Sequence, residues 1–179
     1  SEVKYIGDYA FNKSFVQKIA FDNVQDIGNR AFKDCTKLRT VDIKDTTVNI
    51  GTEAFYGCNM MESIRLSQSI QYIGPGAFAE CLKLRTVDLS AINQPCNISD
   101  FAFYNDIAIS DIQFSNNIAR LGDACFACMK GVAGNLLTFE FPSHISTGVT
   151  EKLPDGTVDT DRDPIGNFCL AGRTNLQHV

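Results

Sequence analysis

The sequence is poor in the residues from which active sites are usually built. It has only two histidines, His144 and His178, no tryptophan, and no glycine-rich loop of the kind that cradles phosphate. No motif marks a nucleophile, and a catalytic triad also needs a base that a third group holds in place. The acidic residues are scattered, so no pair of glycosidase carboxylates can be singled out. We expect a protein that is not an enzyme and has neither a cofactor nor a metal site.

Long hydrophobic runs and an excess of positive charge are also missing. No apolar run approaches the ~20 residues of a membrane-spanning helix, so direct membrane insertion of this segment is not expected. The net charge is -5, whereas sequence-independent binding to nucleic acid requires clustered lysine and arginine. Hydrophobic residues still make up 44% of the chain, which argues against a disordered chain.

What the sequence does contain is a repeat. A phenylalanine recurs in steps of 21, 23, 23, 25 and 23 residues, and it follows an alanine in all but the last of these repeats. The recurring residues are Phe11, Phe32, Phe55, Phe78, Phe103 and Phe126. A fixed period in this range is the signature of a solenoid, in which each repeat forms one coil that stacks on its neighbours.

Each repeat opens on an isoleucine or leucine that glycine usually follows. The repeats start near Ile6, Ile27, Ile50, Ile73, Ile98, Leu121 and Ile165. An insert of residues 146–164 separates the sixth repeat from the start of the seventh. The glycine indicates a turn that needs either an unusual dihedral angle or a close approach of two backbones. We expect one domain over residues 1–179, and we expect it to be a segment of a longer array.

The second half of each repeat, with the pattern Leu-x-x-Val-x-Ile, predicts a strand with one buried face. Equivalent strands of consecutive coils should pair in parallel, with a second short strand or turn on the opposite wall. The predicted inward pairs are Val41/Ile43, Ile64/Leu66, Val87/Leu89, Ile112/Phe114 and Phe139/Phe141. The fold class that follows is an α/β or mainly-β solenoid of six to seven coils, about 23 residues each.

The seven cysteines fit the repeat better than they fit a disulfide framework or a metal site. Cys35, Cys58 and Cys81 occupy the same slot of successive repeats, three residues after the phenylalanine. Equivalent slots stack in a solenoid, so we interpret these three as packing thiols. Cys125 and Cys169 instead take the alanine slot.

Side chains that point away from the core on the predicted strands should line one extended wall. The middle outward positions hold Asp42, Arg65, Asp88, Gln113 and Glu140. Repeat proteins bind partners through such concave walls, so these residues are the candidate binding site. The row lacks the aromatic anchors that dominate most protein interfaces, and a merely solvated sheet face is an equally good interpretation.

The order Leu-x-x-Ile-x-Ile, Val-x-x-Ile-Gly-x-x-Ala-Phe-x-x-Cys resembles the BspA-like class of leucine-rich repeat. The resemblance covers Ile6 to Phe141 and resumes at Ile165. It implies a right-handed horseshoe in a secreted or cell-surface protein, with a role in adhesion or protein binding. A host or cell-surface protein would then be the partner, and no active site comes with the repeat. A purely architectural spacer that presents other domains is the alternative.

The insert offers a further alternative, a carbohydrate-binding or calcium-dependent module. Residues 153–157 contain a Pro-Asp-Gly turn between short β-prone segments, which predicts a projecting hairpin. Asp159, Asp161 and Asp163 resemble the start of a calcium loop, but Pro164 stands where such a loop needs glycine and Leu170 where it needs glutamate. An exposed acidic connector is the better interpretation.

Overall fold

The structure is a computed structural model that describes residues 3–128, 140, 151–152, 158–159, 165, 169–171 and 173. These residues form short strands and turns, and none of them lies in a helix. The strands before residue 128 are β1 (Tyr5–Ile6), β2 (Lys18–Phe21), β3 (Asp26–Ile27), β4 (Thr40–Ile43), β5 (Asn49–Ile50), β6 (Ser63–Arg65), β7 (Tyr72–Ile73), β8 (Thr86–Asp88), β9 (Cys96–Ile98), β10 (Asp111–Gln113) and β11 (Ile118–Leu121). The predicted solenoid is confirmed, in its mainly-β form.

The strands that end at the opening residue of each repeat form one parallel sheet, which we call the opening ladder. Its order is β1-β3-β5-β7-β9-β11, and its register places each opening residue beside the next: Ile6, Ile27, Ile50, Ile73, Ile98 and Leu121. A parallel bridge from Leu121 to Ile165 continues the ladder into the seventh repeat. The repeat period therefore becomes a vertical file of apolar side chains.

The Leu-x-x-Val-x-Ile segments supply the second wall, which we call the strand face. Here β2 pairs with β4, and β6, β8 and β10 pair in order, all in parallel. Strands β4 and β6 are not paired, although they belong to consecutive repeats. The sequence predicts that each of these strands pairs with the equivalent strand of the next repeat, and this pairing is interrupted between β4 and β6.

The core is a column of stacked phenylalanine rings. The six recurring rings lie 5.0–5.2 Å apart from centroid to centroid, and their planes differ by 3–7°. Parallel strands are spaced at about 4.8 Å, so one ring per coil fills the column without a gap. From Phe32 to Phe126 the rings are fully buried, which confirms the predicted stack.

In the second, third, fourth and sixth repeats the glycine after the opening residue is explained by close packing between coils, whereas Ser99 takes this position in the fifth. A Cβ atom at Gly51 would lie 2.8 Å from the amide nitrogen of Asn29, and one at Gly122 would lie 2.4 Å from that of Asp100. Residues with positive φ lie elsewhere in the turn, for example Arg30 at 55° and Glu53 at 52°. Of the two explanations that the sequence allowed, close backbone approach is the correct one.

The cysteines three residues after the ring stack in a column, and their thiols form hydrogen bonds between consecutive coils. The thiols of Cys35, Cys58 and Cys81 each donate to the carbonyl of the phenylalanine in the preceding coil, at 3.0, 3.3 and 3.3 Å. All seven cysteines are buried and reduced. Burial raises the pKa of the Cys81 thiol well above its ordinary value, so these groups stay protonated at neutral pH and act as small packing side chains.

The insert contains the predicted hairpin. Strand β12 (Glu151–Lys152) pairs antiparallel with β13 (Val158–Asp159), and the turn between them falls outside the described residues. The inward pair Phe139/Phe141 and the aspartates at 161 and 163 also lie outside the described residues. The calcium interpretation therefore stays untested.

Removing one ring should weaken the stack. Replacing Phe55 by alanine should lower the free energy of unfolding by about 3–5 kcal/mol. The substitution leaves a cavity between the two neighbouring rings, and the stacked coils cannot move together to fill it. Urea unfolding followed by circular dichroism measures the change. Phe15→Ala is the control, because Phe15 is 78% exposed and should cost about 0.5 kcal/mol or less. Similar losses in the two variants would contradict the role of the stack.

Candidate functional site

Four of the five predicted binding residues lie at equivalent outward positions on the strands of the strand face. The register places Ala20 beside Asp42, and it aligns Arg65, Asp88 and Gln113 on three adjacent strands. All of these residues are exposed or half-buried. Val41, Ile64 and Val87, each the residue before an outward one in its strand, are buried. The alternation of strand side chains therefore sends the row to solvent, as the sequence indicated.

The fifth predicted residue, Glu140, is exposed. The residues on either side of it, 129–139 and 141–150, fall outside the described residues. Its place in the row therefore stays a prediction.

The row carries an ion pair between consecutive coils. The Nε atom of Arg65 lies 3.4 Å from Oδ2 of Asp88, and the Arg65 side chain is 76% exposed. The other carboxylate oxygen of Asp88 accepts hydrogen bonds from the amide and hydroxyl groups of Ser90. The carboxylate is thus held in place, whereas the guanidinium keeps most of its donors toward solvent. An ion pair this exposed contributes little to stability and remains available for contacts.

At the unpaired junction Asp42 and Arg65 form no ion pair with each other. The Asp42 carboxylate accepts from Lys44 Nζ at 2.7 Å instead, and both side chains are about half exposed. This hydrogen bond raises the pKa of the Lys44 ammonium group, so Lys44 is charged at neutral pH. Since the next strand does not pair with β4, the two charges stand at an open strand edge.

A shallow cavity of about 520 Å³ lies over this junction. Its charged lining residues are Lys18, Asp42, Lys44, Asp45 and Arg65. Three cations and two carboxylates therefore surround one opening at the unpaired edges of β4 and β6. Of the predicted row, Asp42 and Arg65 border the cavity, whereas Asp88 and Gln113 lie on the strands beyond it.

The predicted site does not include Lys18, Lys44 and Asp45, because none of them holds the middle outward position of a strand. A signal for two of them was present. The position after the strand holds Ser67, Ser90 and Ser115 in the third to fifth repeats. In the second repeat it holds Lys44, with Asp45 following. The first repeat also holds a charged residue there, Asp22, so the change from charge to serine falls at the junction of the second and third repeats.

Two features of the described residues bear on catalytic chemistry, namely metal-ligating groups and cysteine thiols. No group of three metal-ligating side chains occurs among the described residues, and both histidines fall outside them. Burial raises the pKa of the Cys96 thiol to about 12, so this cysteine is not a thiolate nucleophile at neutral pH. Residues 3–128 and the described positions beyond contain no helix with the length and apolar character of a membrane span.

A second charged group lies on the turns that follow the opening ladder. Glu53 accepts from Lys33 Nζ at 2.6 Å and from Arg30 Nε at 2.7 Å. The Lys33 ammonium group also lies 4.4 Å from the centroid of the Tyr56 ring. The hydrogen bond from Lys33, followed by that from Arg30, lowers the pKa of Glu53. These contacts join consecutive coils, so the group has a structural role.

Comparison with known proteins identifies the repeat. The family model for the BspA type leucine rich repeat region matches residues 4–133, in six copies. A search of curated proteins gave no match.

Solved structures resemble the chain in fold. The leucine rich repeat protein of T. pallidum shares 20% identity with a TM-score of 0.55, over 94% of this chain and 81% of that one. A leucine rich cell surface protein of Faecalibacterium prausnitzii shares 18% identity with a TM-score of 0.45, over 96% of this chain and 62% of that one. A leucine-rich repeat protein of Bacteroides ovatus shares 20% identity with a TM-score of 0.42, over 97% and 57% of the two chains. At such identities the first of these supports the stacked-coil fold and nothing more.

The ion pairs of Glu53 should make stability depend on pH. Because the pKa of Glu53 is lowered in the folded chain, its contribution is present above the ordinary glutamate pKa and is lost as the pH falls through the folded value. Glu53→Gln should lower the free energy of unfolding by about 0.5–1 kcal/mol at pH 7, with a smaller difference near about pH 3. Denaturant titrations at the two pH values measure this.

The matched control is Glu62→Gln, because Glu62 is exposed and has no ion pair among the described residues. Equal pH dependence in the two variants would show that the Glu53 contacts do not contribute to stability.

Proposed function

The chain belongs to the BspA type of leucine-rich repeat proteins, and on this basis we propose that it is a non-catalytic module that binds another protein through its strand face. The repeat fold is typical of protein-interaction modules, because stacked coils present one long continuous surface. We place the module in a secreted or cell-surface protein and assign it a role in adhesion. The proposed partner is a protein of a host or of a cell surface.

The observation that carries this proposal is the charged opening at the junction of β4 and β6. Lys18, Lys44 and Arg65 face Asp42 and Asp45 around a single cavity, and the adjoining strand edges are unpaired. Charges of both signs favour a polar partner segment of complementary pattern over a purely acidic or basic one. Unpaired strand edges add backbone donors and acceptors for the same segment.

The strand face lacks the features of a high-affinity interface. Its outward row contains no tryptophan, tyrosine or phenylalanine, the first two of which are enriched among interface hot spots. We therefore expect a broad polar contact of modest affinity, which several copies presented together would strengthen.

The triple variant Asp42→Asn, Arg65→Gln, Asp88→Asn tests the proposal, because it removes the charges while nearly keeping the side-chain volumes. Capture of purified extracellular matrix proteins and of intact epithelial cells by the immobilised chain is the measurement. We expect binding to fall at least tenfold, about 1.4 kcal/mol, and the salt dependence of the remaining binding to weaken.

The control variant is Lys13→Gln, Lys37→Gln, which removes two exposed charges outside the cavity lining. It should bind like the parent chain. Unchanged binding by the triple variant would move the site away from the strand face. Failure of the parent chain to capture any matrix protein or cell would favour the architectural spacer.

A further inference from the structure

The alanine slot that precedes each stacked ring changes its residue type at one place in the solenoid. Successive repeats hold Ala10, Ala31, Ala54, Ala77 and Ala102 in this slot, followed by Cys125 and Cys169. From Ala31 to Ala102 these side chains are fully buried. The two departures from alanine therefore occur together, in neighbouring coils, where equivalent slots lie one above the other.

The structure brings these two thiols into contact. The Sγ atoms of Cys125 and Cys169 are 3.4 Å apart, and the two residues are 0% and 5% exposed. The backbones on either side are joined by two hydrogen bonds, from Phe126 N to Cys169 O at 3.0 Å and from Cys128 N to Ala171 O at 2.8 Å. The sixth and seventh coils are thus held in register around the pair.

The thiols in the slot three residues after the ring point to different partners. Cys58 and Cys81 also occupy equivalent slots of neighbouring coils, yet each thiol donates to a phenylalanine carbonyl of the preceding coil. Cys125 and Cys169 have each other as hydrogen-bond partners. A stacked slot alone therefore does not bring two sulfurs together, and the contact belongs to this pair.

We propose that Cys125 and Cys169 form a disulfide bond under oxidising conditions and so tie the sixth coil to the seventh. Parallel coils stack at about 4.8 Å, which lies within the 4.4–6.8 Å between Cα atoms that a disulfide allows. Bond formation needs the two side chains to rotate, so that the sulfurs move from 3.4 Å to the roughly 2.0 Å of a disulfide. The bond closes a loop that includes the insert, between residues 44 positions apart in the chain.

The oxidant is a small disulfide such as oxidised glutathione. Cys169 is the attacking thiolate, since it is the more exposed of the two and the hydrogen bond from Cys125 lowers the pKa of the Cys169 thiol. It attacks one sulfur of oxidised glutathione and releases one glutathione as thiolate. Cys125 then loses its proton and displaces the second glutathione from the Cys169 sulfur. Two protein thiols are oxidised and one glutathione disulfide is reduced to two thiols.

The experiment refolds the full chain in a buffer of reduced and oxidised glutathione, so that access to buried sulfurs does not limit the reaction. Thiols are then counted in denaturant and peptides are mapped by mass spectrometry without reduction. We expect the count to fall from the seven cysteines of the chain to five, with peptides of Cys125 and Cys169 joined. The melting temperature should be roughly 5–10 °C above that of the reduced chain.

Cys125→Ala and Cys169→Ala are suitable test variants, because alanine is the residue that this slot holds in the first five repeats. Each should keep all six remaining thiols in the same buffer and melt at the same temperature with or without reductant. In the control Cys128→Ala the pair is intact, so the count should still fall by two. A parent chain that keeps seven thiols, or a bond from Cys125 to Cys128, would overturn the proposal.

Discussion

The whole molecule depends on the agreement between two distances. Parallel strands repeat at about 4.8 Å, and the phenylalanine rings of consecutive coils stack at 5.0–5.2 Å. Aromatic pairs in proteins generally prefer offset or edge-to-face arrangements, so the strand spacing imposes the nearly parallel geometry. The same spacing brings the turns after the opening ladder so close that Gly28, Gly51 and Gly74 have no room for a Cβ atom. The ring stack and these glycines therefore both follow from the spacing between consecutive coils.

This constraint explains which parts of the structure could be predicted from the sequence. The ring stack, the opening ladder and the exposed row follow from the repeat period, because equivalent slots of successive repeats must lie above one another. The left-handed positions of the turns could not be located this way. They hold Tyr9, Arg30 and Glu53 in the first three repeats and Gly76 in the fourth, so no single residue type marks them. The interruption between β4 and β6 was not predicted either, because both strands carry the same apolar pattern.

The slot after the ring shows how a solenoid tolerates a change of chemistry. In three coils a cysteine thiol there donates to the carbonyl of the preceding ring residue. Arg173 occupies the same slot of the seventh repeat, and its Nε donates to Phe126 O at 2.7 Å. Asp106, fully buried in the fifth repeat, instead accepts from Cys81 N at 2.7 Å. Burial raises the pKa of this carboxyl group well above its ordinary value. Cysteine, arginine and aspartate thus all bond from this slot to the preceding coil, so the slot does not require sulfur.

The two walls of the solenoid are unequal, and this inequality is the reason for proposing that the strand face binds a partner. The opening ladder is continuous through six strands, so its backbone groups are used within the sheet. The strand face divides after β4, and charged side chains border the division: Lys18, Lys44 and Arg65 with Asp42 and Asp45. A repeat array gains stability when each coil resembles its neighbours. A local departure that adds charge and leaves strand edges open works against that stability. Because sites that depart from the consistency of a fold are often functional, this feature supports the proposed contact with a partner.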